Sequence, residues 1–173
     1  VLGQPNFDTN DSGESDTQLK WPVDVAVGGG KYVVADTYNH RILIWNEKPQ
    51  ANGVAPDLIL DGGEHADTPQ AEPSLDRFAW PWGVWTDGTQ LIVSSTSSGS
   101  SNGDIRFDGW VLIWNDFPTS SDQAADIVLS AGGKMGTPRS ITTDGESFLI
   151  IGDHNADWQP SGMGNWLWTS FPT

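Results

Sequence analysis

The chain has 173 residues, enough for a domain with a real core, and it contains no cysteine, which excludes disulfides and thiolate metal sites. It has 23 acidic residues against 8 basic ones, a formal charge of −15. A surface of that sign repels phosphate backbones and anionic lipids, so we exclude nucleic acids and membrane surfaces as partners. No apolar run approaches the roughly 20 residues that a membrane-spanning helix needs.

Short runs rich in Val, Ile, Leu and Trp follow one another along the chain, separated by Gly, Asp, Asn, Pro and Ser. Their length and composition predict β-strands, and apolar residues nowhere recur at helical spacing over ten or more positions. In chain order the predicted strands lie at residues 1–5, 21–27, 31–36, 41–46, 55–63, 80–86, 90–95, 110–115, 124–133, 137–143, 148–153 and 165–170.

These strands form a repeating unit of fifty-odd residues. The segment RILIWNEKP (residues 41–49) recurs as WVLIWNDFPT (110–119) and as NWLWTSFPT (165–173), with Trp45, Trp114 and Trp168 aligned. Recurrence at one position of the unit predicts that these three rings pack between units, and we expect the same of Trp21 and Trp80. Asp-Gly pairs at residues 87–88 and 144–145 predict hairpin turns.

Four antiparallel strands per unit predict an all-β fold, a β-propeller of four-stranded blades. We place blade one at residues 19–63, blade two at 78–133 and blade three at 136–173, the last without its outer strand. Residues 1–5 are predicted to be the outer strand of a neighbouring or closing blade. The alternative is an ordinary β-sandwich whose internal similarity arose by chance.

The first unit resembles an NHL repeat of the bacterial type, in VADTYNHRILIWN (residues 34–46) and the preceding WPVDVAVGGGKY. An Asp-to-Arg pairing typical of that family matches Asp36 and Arg41, whereas unit two has Ser95 in place of the Asp and unit three has Asp153 but no equivalent Arg. The resemblance implies a six-bladed propeller, of which three blades are half. The remaining blades then come from the same, longer chain or from a second copy.

Long connections on one face of the propeller carry the candidate ligand-binding residues. The inserts span residues 95–109 and 153–164, and the acidic connectors at 7–18 and 62–77 belong to the same face. Insertions on one face of a repeat protein are often its binding surface, and the alternative is that they are unselected solvated loops. The candidates are Trp110, Trp158, Trp166, Asp104, Asp108, Asp153, His154 and Asp157. Their rings could stack on a carbohydrate or a peptide, or be partly buried under the loops.

A calcium ion is the only cofactor that the sequence suggests. Asp8, Asn10, Ser12 and Asp16 have the spacing of the start of an EF-hand loop, but its twelfth position is Leu19 and no flanking helices are predicted. A second set of hard ligands is Asp153, His154, Asn155 and Asp157.

The sequence favours a non-catalytic binding or scaffolding propeller, located outside the cell or on its surface, with a protein or carbohydrate ligand. It contains no nucleophile elbow and no phosphate-binding glycine loop, so it identifies no catalytic residue. One alternative is a metal-dependent hydrolase or lyase, because gluconolactonase-like and strictosidine synthase-like propellers resemble this chain. Another is a structural repeat of a surface filament or layer.

Overall fold

A computed structural model describes residues 1–62, 73–101, 104–154 and 164–173, with the side chains of all of these except 98–101 and 104–107. The described residues form strands and a single 3₁₀ turn, Thr37–Asn39, with no α-helix among them. No helix in this part of the chain could span a bilayer. The all-β prediction is confirmed.

Eleven strands build three antiparallel sheets. They are β1 (Pro22–Gly28), β2 (Lys31–Asp36), β3 (Arg41–Trp45), β4 (Leu58–Asp61), β5 (Pro81–Thr86), β6 (Leu91–Ser101), β7 (Asp104–Trp114), β8 (Ile127–Leu129), β9 (Pro138–Thr143), β10 (Leu149–Asp153) and β11 (Gly164–Trp168). The order within each sheet follows the chain: β1-β2-β3-β4, β5-β6-β7-β8 and β9-β10-β11. Each sheet is one blade, and the third has three strands, as a blade without its outer strand requires.

The blades pack face to face in chain order, with their first strands side by side. Two glycines permit this contact. A Cβ on Gly28 would lie 2.2 Å from the carbonyl oxygen of Thr86, and a Cβ on Gly83 would lie 2.4 Å from that of Arg139. Any larger side chain at either position would therefore push neighbouring blades apart.

Alternation along the strands of blade two divides the core into two layers. Leu91, Val93 and Leu112 face blade one, whereas Ile92 and Ile113 face blade three, and all five are fully buried. Because successive side chains of a strand point to opposite faces, one blade fills both interfaces.

The repeated tryptophans pack on one face of each blade: Trp114 lies between blades one and two, whereas Trp45 packs against the connections on the other face of blade one. Trp45 and Trp114 are 3% and 2% exposed. Each indole N–H donates to a backbone carbonyl nine residues further on, that of Val54 at 3.1 Å and that of Gln123 at 3.0 Å. The ring thus joins sheet packing to the connection between third and fourth strands, which explains why the residue type recurs.

One face of blade one has the pattern of a blade interface but is uncovered at its inner strand. Val25 and Val27 are 65% and 62% exposed, whereas the equivalent residues of blade two, Val84 and Thr86, are each 6% exposed because blade one covers them. The outer part of the same face is packed against Leu2 and other side chains of the connections.

Two segments differ from the sequence prediction. Residues 1–5 form no strand: their backbone follows residues 52–53, and the carbonyl of Val1 accepts a hydrogen bond from the N–H of Gly53 at 3.0 Å. No described strand lies beside them to complete a ladder. The insert at 95–109, predicted as a loop, instead extends β6 and β7 into a long hairpin paired as far as Ser101 and Asp104.

Candidate functional site

The start of every blade is fastened to the end of its second strand by one polar side chain. Asp36 and Ser95 each accept a hydrogen bond from the backbone N–H two residues before the blade's proline, that of Lys20 at 2.7 Å and that of Ala79 at 3.0 Å. Asp153 does the same with Gly136 at 3.0 Å. All three side chains are buried, so the ends of the strands that carry the loop face are held rigidly.

Arg41 ties the acidic connector, residues 7–18, to blade one. Its Nε donates to Asp36 at 2.8 Å, which confirms the predicted pairing. Its terminal nitrogens donate to the backbone carbonyls of Glu14, Ser15 and Gln18, each at 2.9 Å. The guanidinium therefore takes up the inward-facing oxygens of the connector.

These hydrogen bonds of Arg41 argue against the calcium site predicted in the connector. Asp8, Asn10, Ser12 and Asp16 are all exposed, and Arg41 already holds three backbone carbonyls of the connector, whereas a calcium ion needs six to eight oxygen ligands. Among the described residues, no group of three or more His, Cys, Asp or Glu side chains could hold a metal ion.

Trp110 belongs to the core and not to the ligand-binding surface. It is completely buried, faces blade one, and occupies in β7 the position that Arg41 occupies in β3. Its indole N–H donates to the carbonyl of Arg77 at 3.2 Å, so it also holds the connector that enters its blade. Of the two roles that the sequence left open for this ring, the structure shows burial.

In blade three, Trp166 replaces the missing arginine. Its Nε1 donates to the buried carboxylate of Asp153 at 2.8 Å. Asp153 and the exposed His154 line a shallow cleft of about 380 Å³, together with Arg139, Gly152, Gly164 and Asn165. The structure thus brings three of the predicted site residues, Asp153, His154 and Trp166, into one neighbourhood.

The other predicted residues lie apart from this cleft or outside the described residues. Asp108 is half-buried in β7, and Asp104 begins that strand. Asn155, Asp157 and Trp158 fall outside the described residues, so their place in a site stays a prediction.

A bulge that was not predicted from the sequence recurs near the start of all three inner strands. The pairing register skips Val23 in β1, Trp82 in β5 and Arg139 in β9. The skipped residues of blades two and three are in contact, since the guanidinium of Arg139 lies 4.7 Å from the ring centroid of Trp82. Each blade therefore adds one side chain, free of strand pairing, to the inner edge.

A row of aromatic rings on the loop face was also missed. It consists of Trp21, Tyr38, Trp80 and His40, and Trp21 is 69% exposed. Trp21 is exposed because no described blade lies against β1, so its predicted role in packing between blades stays a prediction. Only the fold brings Trp80 next to Tyr38, across the junction of two blades.

Comparison with protein families agrees with the fold and with the Asp36–Arg41 pair. Residues 19–45, from the end of the connector to the end of β3, match the family model of the NHL repeat. The chain carries an NHL repeat. Within this NHL repeat, Asp36 and Arg41 are the ion pair that fastens the connector. No curated protein matches the chain.

Proposed function

We propose that the chain is a non-catalytic binding or scaffolding propeller whose loop face binds a protein partner. The observation that carries this proposal is the rigid support of that face: a buried side chain, Asp36, Ser95 or Asp153, fixes the entry to every blade. A pre-ordered surface loses little conformational entropy on binding, and this lowers the cost of association.

Two further features support a binding role. The NHL repeat at residues 19–45 belongs to a class of propeller modules that commonly mediate protein interactions. Aromatic side chains are exposed on the loop face, and aromatic residues are enriched where proteins bind one another. The location outside the cell and the hydrolase, lyase and filament alternatives stay predictions from the sequence.

The proposal can be tested with peptides selected from a phage-displayed random library against the chain. The affinity of a selected peptide is then measured for the native chain, for Trp158→Ala in the insert predicted from the sequence to bind ligand, and for Glu47→Ala on the opposite side of blade one. We expect Trp158→Ala to weaken binding by about tenfold or more while the unfolding free energy changes by no more than about 0.5 kcal/mol. Glu47→Ala should change neither quantity, and selected peptides that respond only to Glu47→Ala would contradict the proposal.

A further inference from the structure

The aromatic row crosses the junction between blades one and two. The ring centroids of Trp21 and Tyr38 are 5.4 Å apart, those of Tyr38 and Trp80 are 6.3 Å apart, and those of His40 and Trp80 are 6.0 Å apart. The interplanar angles of 32°, 24° and 27° correspond to an offset stack. Four rings thus form one continuous strip.

The strip is held by backbone contacts from both blades. The N–H of Tyr38 donates to the carbonyl of Lys20 at 3.1 Å, and the hydroxyl of Thr37 donates to the carbonyl of Pro81 at 2.6 Å. Trp21 has φ 51°, in the left-handed region that a bulky residue seldom adopts. Local strain of this kind, about 1–3 kcal/mol, persists where the surrounding structure imposes it and is often found at binding sites.

The rings remain accessible where they stack. Trp21 is 69% exposed and Tyr38 is 44% exposed. Trp80, which has ring neighbours in Tyr38 and His40, is still partly exposed. Tyr38 and Trp80 keep this exposure at a junction where both blades are present, whereas the exposure of Trp21 follows from the uncovered strand β1.

The acidic connector borders the strip. The side-chain amide of Asn39, next to Tyr38, donates to the carbonyl of Gly13 at 2.8 Å. The side chains of Glu14 and Asp16 are 77% and 67% exposed. The nearest basic side chain along the chain, Lys20, is paired with Glu14 at 3.0 Å. Asp16 lies 3.9 Å from the guanidinium of Arg41. Each carboxylate thus has one cationic neighbour and keeps most of its surface in solvent, on a connector that adjoins the residue after Tyr38.

We propose that the aromatic row and the acidic connector bind an arginine side chain on a basic segment of a protein partner. A guanidinium is attracted to the faces of Trp and Tyr rings and pairs with carboxylates in the same position, whereas anionic ligands are repelled by both features. The formal charge of −15 adds long-range attraction for a basic partner. This inference rests on the proposed protein-binding function and names the chemistry of the partner.

The test uses an acetylated Arg-Gly-Arg-Gly-Arg peptide and the same peptide with citrulline, a neutral isostere, in place of each arginine. Amide chemical shifts of the chain are followed by NMR during titration. We expect the arginine peptide to shift the amides of Tyr38 and Asn39, and the citrulline peptide to leave them unchanged. Trp21→Ala, which alters no charge, should weaken the arginine peptide at least about fivefold.

A charge-matched pair separates local binding from general attraction. Glu14→Gln and Glu47→Gln remove the same charge, and only Glu14→Gln, beside the strip, should weaken the arginine peptide by more than about twofold. Equal effects of the two variants, or equal binding of the citrulline peptide, would overturn the inference. So would a neutral oligosaccharide that shifts the same amides when the arginine peptide does not.

Two other outcomes also decide the question. If Trp21→Ala changes the oligomeric state in sedimentation and leaves arginine affinity unchanged, the row contacts another blade and the inference is wrong. If selected library peptides without arginine bind the native chain and Trp158→Ala abolishes that binding, the protein-binding proposal stands and the arginine site is refuted.

Discussion

Replacement of Trp114 by alanine tests whether the repeated tryptophans hold the blades together. The ring is 2% exposed between blades one and two, and its N–H donates to the carbonyl of Gln123 at 3.0 Å. Truncation of a buried Trp costs about 3–5 kcal/mol. Domains are stable by only about 5–15 kcal/mol, so this is a large share of the total. Trp114→Phe keeps most of the apolar area but leaves the carbonyl without its donor, and should cost about 1–3 kcal/mol.

Urea unfolding followed by far-UV circular dichroism gives these free energies by linear extrapolation, with an unchanged slope showing that both states keep their compactness. Trp21→Ala is the matched control: the same substitution at a ring that is 69% exposed, expected to change stability by about 0.5 kcal/mol or less. If Trp114→Ala proves no more destabilising than Trp21→Ala, the assignment of Trp114 to the core is refuted.

Three further predictions concern charge. Asp36→Asn leaves Arg41 without its buried partner and should lower the free energy of unfolding in urea by about 3–5 kcal/mol. Asp16→Asn, at an exposed carboxylate, should lower it by less than about 1 kcal/mol. Equal costs would show that the buried pair contributes no more to stability than the exposed one. Hydrogen bonds from the hydroxyl of Ser147 and from backbone N–H groups hold the pKa of Asp144 below its ordinary value. The stability that these hydrogen bonds confer is therefore complete above about pH 4 and is lost as the pH falls through the folded-state pKa. Asp144→Asn should make the free energy of unfolding depend less on pH in the acid range. Asp116→Asn, at an exposed residue, should leave that dependence unchanged. Calcium should leave the thermal unfolding midpoint unchanged, because Arg41 already occupies the inner side of the connector. An ion bound at 100 times its Kd would raise the free energy of unfolding by about 2.7 kcal/mol, and a rise of that size would contradict the prediction.

The blade structure could be predicted from the sequence because each unit repeats the same local signals. Runs of β-branched and aromatic residues end at Asp-Gly turns in units two and three. The aligned Trp45 and Trp114 each donate to the backbone carbonyl nine residues further on. The Asp36–Arg41 contact was implied by the resemblance of the first unit to an NHL repeat, and the two residues do face each other across one tight connection.

The candidate site was harder to predict because residue type alone does not reveal exposure. Trp110 lies within β7 and is fully buried, whereas Trp21 directly precedes β1 and is 69% exposed. A signal for Trp110 did exist, because it aligns with the buried Arg41 when the repeats are superimposed. The aromatic row had no such signal, since Tyr38 and Trp80 come together only when two blades pack.

The bulge shared by the three inner strands has a consequence for how such a molecule can diversify. Val23, Trp82 and Arg139 are an aliphatic, an aromatic and a cationic residue at one equivalent position, and the ladders on either side of them are alike. The backbone geometry of the bulge therefore accepts side chains of different size and charge. One position in each inner strand can thus differ in chemical class between blades while the strand pairing on either side of it stays the same.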